Sequence, residues 1–164
     1  MDSADQQATS GATAGVIARP PLLILAALLL GFLADRLLPL RLPLPATDPV
    51  HWVVGGLLIL IGLALAIAGI RGFSAAGTPV PTNRPTRALV TTGIHGWTRN
   101  PIYVGLLLVY GGIGIAARSP WIFVLALPLA IVIRYGVVAR EEAYLERRFG
   151  DAYRDYKARV RRWV

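Results

Sequence analysis

Four stretches of this sequence contain no charged residue, and they limit the solvents in which the chain can fold. The stretches are 20–34, 49–70, 100–117 and 119–133. A helix that crosses a bilayer needs about 20 mostly apolar residues, with roughly 17 to 25 as the range. The second stretch is long enough alone, and the first becomes so if Asp35 and Arg36 lie at the membrane interface. The length of these stretches predicts a membrane protein.

The last two stretches are short and are separated by Arg118, Ser119 and Pro120, which predicts a helical hairpin with a tight turn. We therefore predict an all-α membrane protein with about four transmembrane helices in a single domain over 20–164. Residues 1–19 lack apolar periodicity and are predicted to form a disordered tail. The predicted transmembrane helices are about 20–40, 50–71, 101–117 and 119–139, and the predicted cytoplasmic helices of the C-terminal region fall within 140–164.

Composition supports this class and excludes others. Only 16% of residues are charged, against about 25% in soluble domains. The sequence has no cysteine, which excludes disulfides, thiolate metal sites and a cysteine nucleophile. We expect no metal. The net charge of +8 suits either nucleic acid or a membrane protein with basic cytoplasmic loops. Because a duplex-binding protein has no use for long uncharged spans, we expect no nucleic-acid partner.

The positions of the basic residues predict the topology. Twelve of the 17 lie either in the loop from Arg71 to Arg99 or in the tail from Arg140 onward. Basic loops stay on the cytoplasmic side, and an even number of helices separates these two segments. We therefore expect both termini and both basic segments to be cytoplasmic, in the inner (cytoplasmic) membrane.

The loop from Gly72 to Asn100 is long for a protein of this size, and loops of this length are often functional. It ends in polar and aromatic residues that run into Asn100 and Pro101, where proline suits the first turn of a helix. One interpretation is an aromatic and arginine belt at the interface. The other is a binding site at the start of the helix, whose dipole favours a negative group.

Arg134 and Glu141 are seven residues apart and are predicted to lie on similar faces of one helix. They either form an ion pair that anchors the helix end or face a cavity or ligand, because charges near the membrane are costly without a partner. Farther on, aromatic and basic residues alternate with helical spacing between Asp151 and Trp163. This pattern predicts a basic amphipathic helix on the bilayer surface.

Three blocks of sequence together resemble the membrane methyltransferases of the isoprenylcysteine carboxyl methyltransferase and phospholipid N-methyltransferase type. The resemblance extends from Gly77 to Trp163. The first block is Gly77-Thr78 followed by prolines. The second is Leu89-Val90-Thr91-Thr92-Gly93 leading to Arg99-Asn100-Pro101-Ile102-Tyr103-Val104-Gly105, and the third is Glu141-Glu142 followed by Leu145, Phe149-Gly150, Tyr153, Tyr156 and Val160.

The resemblance implies methyl transfer from S-adenosylmethionine to a lipidic or amphiphilic acceptor, in a cytoplasmic pocket closed by the C-terminal segment. The cofactor-binding residues it implies are Arg87, Leu89, Val90, His95, Asn100, Pro101, Ile102, Tyr103, Glu141 and Glu142. The candidate catalytic residues are Glu141, Glu142 and Arg134. Membrane lipids are the expected surroundings, and no general base and no oligomeric state follow from the sequence.

The sequence departs from the carboxyl-methylating members at two positions. Asn100 stands where those members have histidine, and Val137 occupies the place of a substrate-binding arginine. Both departures favour a phospholipid amine over an isoprenylcysteine-like carboxylate as the acceptor. Two alternatives stay open: a membrane NADPH-dependent reductase of the steroid-reductase type, and a non-enzymatic scaffold whose basic helix recruits anionic lipid.

Overall fold

The structure is a computed structural model that describes residues 14–43, 49–80 and 85–164. The described residues form helices and no β-strand. The helices are α1 (Pro20–Leu37), α2 (Val50–Ala75), α3 (Pro101–Ala116), α4 (Pro120–Ile131), α5 (Ala139–Phe149) and α6 (Asp151–Arg159). A 3-10 helix covers Gly93–Gly96, and a π-helix over Val132–Val138 joins α4 to α5 without a break.

Proline marks the beginning of three of these helices. It occupies the first turn of α1, α3 and α4, where the missing amide hydrogen has no partner to lose. Ser119 caps α4, because its side chain accepts a hydrogen bond from the Ile122 amide at 3.2 Å. The turn predicted at residues 118–120 therefore ends one helix and begins the next.

In the described part of the chain, three helical segments are long and apolar enough to cross a membrane: Pro20–Leu37, Val50–Ala75 and Pro120–Phe149. Helix α3 is apolar but shorter, with 16 residues, or about 24 Å at 1.5 Å per residue. It lies where the third transmembrane helix was predicted. The predicted all-α membrane fold is confirmed, and the chain is an integral membrane protein.

Helices α2 and α3 form the closest pair in the bundle, because glycines face each other across their contact. A Cβ added at Gly62 would lie 2.5 Å from the carbonyl oxygen of Gly105, and one at Gly55 would lie 2.7 Å from that of Gly112. Side chains at these positions would force the helices apart. Gly112 of α3 therefore permits close helix packing, whereas a Cβ at Gly111 would meet open space.

The segment before α1 packs against the π-helix. The Ile17 amide donates a hydrogen bond to the Gly136 carbonyl at 3.3 Å, and the Ile17 side chain lies where a Cβ of Gly136 would be. Arg140 also donates to the Gly15 carbonyl at 2.9 Å. These contacts involve residues 14–19 of the predicted tail, and residues 1–13 of that tail lie outside the described residues.

The two ends of the bundle differ. At one end the start of α1, the end of α2, the 3-10 helix and the C-terminal helices surround a common cavity. At the other end the Leu42 amide donates to the Arg118 carbonyl, and the Trp121 indole donates to the Leu38 carbonyl. The two basic segments identified in the sequence therefore meet at the same end, as the predicted topology requires.

The C-terminal helix α6 does not present its aromatic face to lipid, so the prediction of a helix lying on the bilayer surface is wrong in that respect. Tyr153 and Tyr156 are buried and line the cavity. The Tyr156 hydroxyl donates a hydrogen bond of 2.7 Å to the His95 carbonyl, which gives the phenol a polar partner inside the protein. Only the opposite, basic face of α6 is exposed.

Candidate active site

The cavity at this end of the bundle has a volume of about 420 Å³. It lies between the first turn of α1, the last turns of α2, the beginning of α3 and the C-terminal helices. Its walls are mostly apolar, as small-molecule sites usually are. Its polar lining residues are Arg19, His95, Arg99, Asn100, Tyr103, Glu141, Glu142, Tyr153 and Tyr156.

Glu141 is the central acidic group of this cavity. It is only 6% exposed, and the Tyr103 hydroxyl donates to its two carboxylate oxygens at 2.7 and 2.9 Å. Among the described residues no arginine, lysine or histidine lies within ion-pair distance of it. A buried carboxylate with a hydroxyl as its partner and no cation is costly, so a positively charged ligand group would be stabilised beside Glu141.

Glu142, the next residue, has a different environment. Arg162 forms a bidentate ion pair with it, with Nε at 2.8 Å and Nη2 at 2.6 Å from its two oxygens. Arg99 adds a third contact at 3.2 Å. Two guanidinium groups therefore neutralise Glu142. The ion pair with Arg162 also holds the C-terminal segment against α5. Arg99 keeps Nε and Nη1 buried with no partner in the described part of the chain.

Backbone contacts attach the same C-terminal segment to the beginning of α3. The Arg99 amide donates to the Arg161 carbonyl at 2.9 Å. The Asn100 side-chain amide donates to the Arg162 carbonyl at 2.8 Å, and the Thr98 hydroxyl donates to the same carbonyl at 3.3 Å. The segment from Val160 onward is therefore fixed against the beginning of α3, beside the cavity.

His95 forms another part of the wall. Its ring packs edge-to-face on Phe73, with 4.7 Å between centroids, and it fits beside Gly72, which leaves room for it. Both ring nitrogens are buried without a partner among the described residues. Burial lowers the pKa of His95 below its usual 6.5, so the ring is neutral at pH 7. Burial also raises the pKa of Tyr156 to about 12, which keeps that phenol protonated and able to donate.

Seven of the ten residues implied as cofactor-binding line this cavity together. They are His95, Asn100, Pro101, Ile102, Tyr103, Glu141 and Glu142. The other three lie elsewhere. Leu89 and Val90 line a neighbouring cavity of about 430 Å³, to which His95 also contributes a wall. Arg87 is exposed and lines neither cavity, and its backbone amide donates to the Thr78 hydroxyl at 2.8 Å.

Arg134 lies away from the other candidate catalytic residues. It lines a separate groove, here called the Arg134 groove, formed by Leu107, Ala130, Ile131, Ile133, Arg134, Tyr135 and Trp163. The prediction that it shares a helix face with Glu141 does not hold, because Arg134 lies within the π-helix, which continues to Val138 before α5 begins. Hydrogen bonds from i to i+5 change the number of residues per turn, so the spacing expected for an α-helix does not apply.

Sequence reasoning missed several lining residues. Arg99 directly precedes Asn100, yet nothing in the sequence shows that Glu142 and the fold bury it. Arg19 lies outside the region of resemblance and reaches the cavity because α1 begins there. Tyr153 and Tyr156 were found as an aromatic face, but periodicity does not reveal whether lipid or protein covers that face.

The donor set suits an organic ligand with a cationic group. Among residues 14–43, 49–80 and 85–164, no group of three His, Cys, Asp or Glu side chains could hold a metal ion. The cavity instead combines a free carboxylate, a partly free guanidinium, a neutral imidazole and apolar walls. This set can bind an amino-acid-like group and an aromatic ring at the same time.

Comparison with known proteins identifies the family of the chain. The family model described as phospholipid methyltransferase matches residues 50–152, more than half of the chain. A protein of Haemophilus influenzae named only as uncharacterized is 59% identical over 34 residues, which are 21% of this chain and 54% of that protein. The chain thus spans about half the length of this curated relative. The match to the family model shows that the chain belongs to the phospholipid methyltransferase family.

Proposed function

We propose that the protein transfers a methyl group from S-adenosylmethionine to a lipidic or amphiphilic acceptor. The observation that carries the proposal is Glu141, a buried carboxylate that faces the cavity. Its partner is a phenol, and no cation of the described residues lies within ion-pair distance. S-adenosylmethionine bears an ammonium group and a sulfonium group. Either would supply the missing positive charge, and an ammonium would also donate hydrogen bonds.

The remaining polar groups fit the rest of this cofactor. Arg99 has two buried donor groups without partners, which suit the carboxylate of the amino-acid moiety. Phe73, Ile102 and Leu145 provide apolar walls against which an adenine ring can pack. When bound, the cofactor supplies an electrophilic methyl group on sulfur.

The protein's own contribution is positioning and the removal of water. Tyr103 orients Glu141, and the ion pairs on Glu142 hold the C-terminal segment beside the cavity. A dry site that fixes two reactants in line favours displacement at a methyl group. The neutral His95 ring adds no positive charge to the cavity, which suits a site that binds a cation.

The acceptor would enter from the membrane. Leu22 of α1 and Ile70 of α2 line the cavity, and both are also exposed on the outer surface of the bundle. An acyl or prenyl chain could thus extend between these two helices while its head group reaches the methyl group. Asn100 in place of the histidine of carboxyl-methylating relatives favours a phospholipid amine over an isoprenylcysteine-like carboxylate.

The location proposed for this reaction is the cytoplasmic side of the inner membrane. Arg19 and the two basic segments surround the cavity end, and basic segments stay in the cytoplasm. A reporter fused after Val164 is expected to read out as cytoplasmic. An external readout would contradict this orientation.

The test is cofactor binding by calorimetry on the detergent-solubilised full chain. Glu141→Gln keeps the shape of the side chain and removes its charge, so we expect affinity for S-adenosylmethionine to fall about 10- to 100-fold. Glu146→Gln is the matched control, because Glu146 lies outside the cavity lining and pairs with Lys157 at 2.8 Å. Equal affinity in the two variants would contradict the site.

A thermal-shift comparison separates the alternatives. NADPH carries several phosphate groups, whereas this cavity presents two carboxylates and one incompletely paired buried guanidinium. We therefore expect stabilisation by S-adenosylmethionine and none by NADPH. Stabilisation by NADPH alone would favour a reductase, and stabilisation by neither would favour a non-enzymatic scaffold.

A further inference from the structure

The Arg134 groove is a second concave surface, with a volume of about 290 Å³. It shares no lining residue with the main cavity. Helix α3 contributes to both, because Leu106 faces the cavity and its neighbour Leu107 faces the groove. The groove is therefore not part of the proposed methyl-transfer site.

The groove contains an arginine without an acidic partner. No carboxylate of the described residues lies within ion-pair distance of Arg134, whereas Arg41, Arg99, Arg154 and Arg162 each have one. Its guanidinium lies 5.4 Å from the centroid of the Tyr135 ring. The residue is partly buried, and no carboxylate of the described residues compensates its charge. An arginine near the membrane is costly in this state and is suited to bidentate binding of phosphate.

The rest of the groove is apolar and faces outward. Its floor contains Ile133 and Leu107, which are buried or partly buried, and its edge contains Ile131, which is exposed on the outer surface. An acyl chain would cover this surface at no cost in polar contacts. Tyr135 and Trp163 flank the arginine, and aromatic side chains of this kind lie at the level of lipid head groups.

We propose that the groove is a binding site for an anionic phospholipid, with its phosphate on Arg134 and one acyl chain along Leu107 and Ile131. This lipid is a structural ligand and not the methyl acceptor, because the groove and the main cavity are separate. The positive charge selects an anionic lipid over a zwitterionic one, whose head group carries a compensating cation. The bound lipid would also hold Trp163, and with it the C-terminal segment that packs beside the active site.

The test uses brominated lipids, which quench nearby tryptophans, on the full chain in detergent. The sequence has four tryptophans, so Trp163→Phe identifies the part of the signal that belongs to the groove. We expect dibrominated phosphatidylglycerol to quench this part at about five- to tenfold lower concentration than dibrominated phosphatidylcholine with the same chains. Arg134→Gln should abolish this preference.

Two further variants separate a site from general attraction. Arg147→Gln removes the same charge from an exposed position of α5 outside the groove, and the preference should survive. Ala130→Phe fills the groove without changing its charge and should weaken quenching by both lipids. Binding of S-adenosylmethionine should persist in Arg134→Gln, which shows that the variant is folded.

Three results would overturn the proposal. Equal quenching by the two lipids would mean that the arginine selects nothing. Equal losses in Arg134→Gln and Arg147→Gln would mean attraction to the basic surface as a whole. A stable dimer whose Trp163 is inaccessible to both lipids would mean that a second copy of the chain covers the groove.

Discussion

The ion pair between Arg162 and Glu142 can be removed without removing the backbone hydrogen bonds that hold the same C-terminal segment. Arg162→Gln removes both charged hydrogen bonds, at 2.8 and 2.6 Å, from the Glu142 carboxylate. Glu142 keeps Arg99 at 3.2 Å. The backbone bonds from Asn100 and Thr98 to the Arg162 carbonyl stay available, because they do not involve the side chain that changes.

The magnitude follows from these contacts. Removing one partner of a buried ion pair costs about 3 to 5 kcal/mol. Here the second guanidinium remains, and the Arg162 side chain is 29% exposed, so water compensates part of the loss. We therefore expect a cost of about 2 kcal/mol, which raises the population with a released C-terminal segment about 30-fold.

Hydrogen–deuterium exchange measures this release directly. The Arg99 amide, which donates to the Arg161 carbonyl, should exchange about 30-fold faster in Arg162→Gln, while amides in the middle of α2 and α3 should not change. Arg159→Gln is the control. Arg159 is exposed, and its guanidinium donates to a backbone carbonyl on the same helix.

Two results would refute this reasoning. Unchanged exchange at Arg99 would show that the backbone contacts alone hold the segment. Faster exchange throughout α2 and α3 would show that the ion pair stabilises the whole fold and not the C-terminal segment alone. A double-mutant cycle with Glu142→Gln should give a coupling energy of about 1 to 3 kcal/mol.

Two further predictions concern packing and pH. Gly62→Ala should lower the free energy of unfolding in detergent by about 1 to 3 kcal/mol, because its Cβ would lie 2.5 Å from the Gly105 carbonyl oxygen. Gly56→Ala is the control, because nothing lies within 4 Å of the added Cβ, and it should be neutral or slightly stabilising in the same thermal melts. Equal effects of the two substitutions would contradict the packing of α2 on α3. The lowered pKa of His95 means that the unfolded chain binds the proton more readily, so stability should fall as pH drops below about 6.5 and level off below the folded-state pKa. His95→Asn should reduce this dependence in melts between about pH 7.5 and 5.5, and an unchanged slope would contradict the assignment.

Most of the fold could be predicted from the sequence, because a membrane limits the length, polarity and charge placement of the helices that cross it. Charge-free runs, proline at helix starts and the placement of arginine all have direct physical causes, and each predicted transmembrane helix has a counterpart in the structure. The sequence did not reveal that the helix predicted to end at residue 139 continues beyond it. The helix that begins at Pro120 continues through a π-helix to Phe149, and periodicity cannot reveal a local change from α to π hydrogen bonding.

Part of the candidate site could be predicted from the sequence. Residues near the Asn-Pro and Glu-Glu pairs converge on one cavity, because these pairs lie at the same end of neighbouring helices. Arg134 was misplaced by assuming α-helical spacing across the π-helix. The family resemblance implies Leu89 and Val90 as cofactor-binding, but in the structure they line a neighbouring cavity, and His95 lines both that cavity and the one that holds Glu141. Glu142 forms ion pairs and Glu141 does not, although the two residues are adjacent. This difference depends on long-range packing, which cannot be read from a single sequence.

The most direct test of the central claim is methyl transfer itself. The full chain in bilayers of the host's lipid extract would be supplied with S-adenosylmethionine labelled in its methyl group, and the lipid fraction would be analysed by mass. The account predicts label in a lipid or lipid-like amphiphile, lost in Glu141→Gln and retained in Glu146→Gln. Absence of label from the lipid fraction, or equal labelling by the two variants, would contradict it.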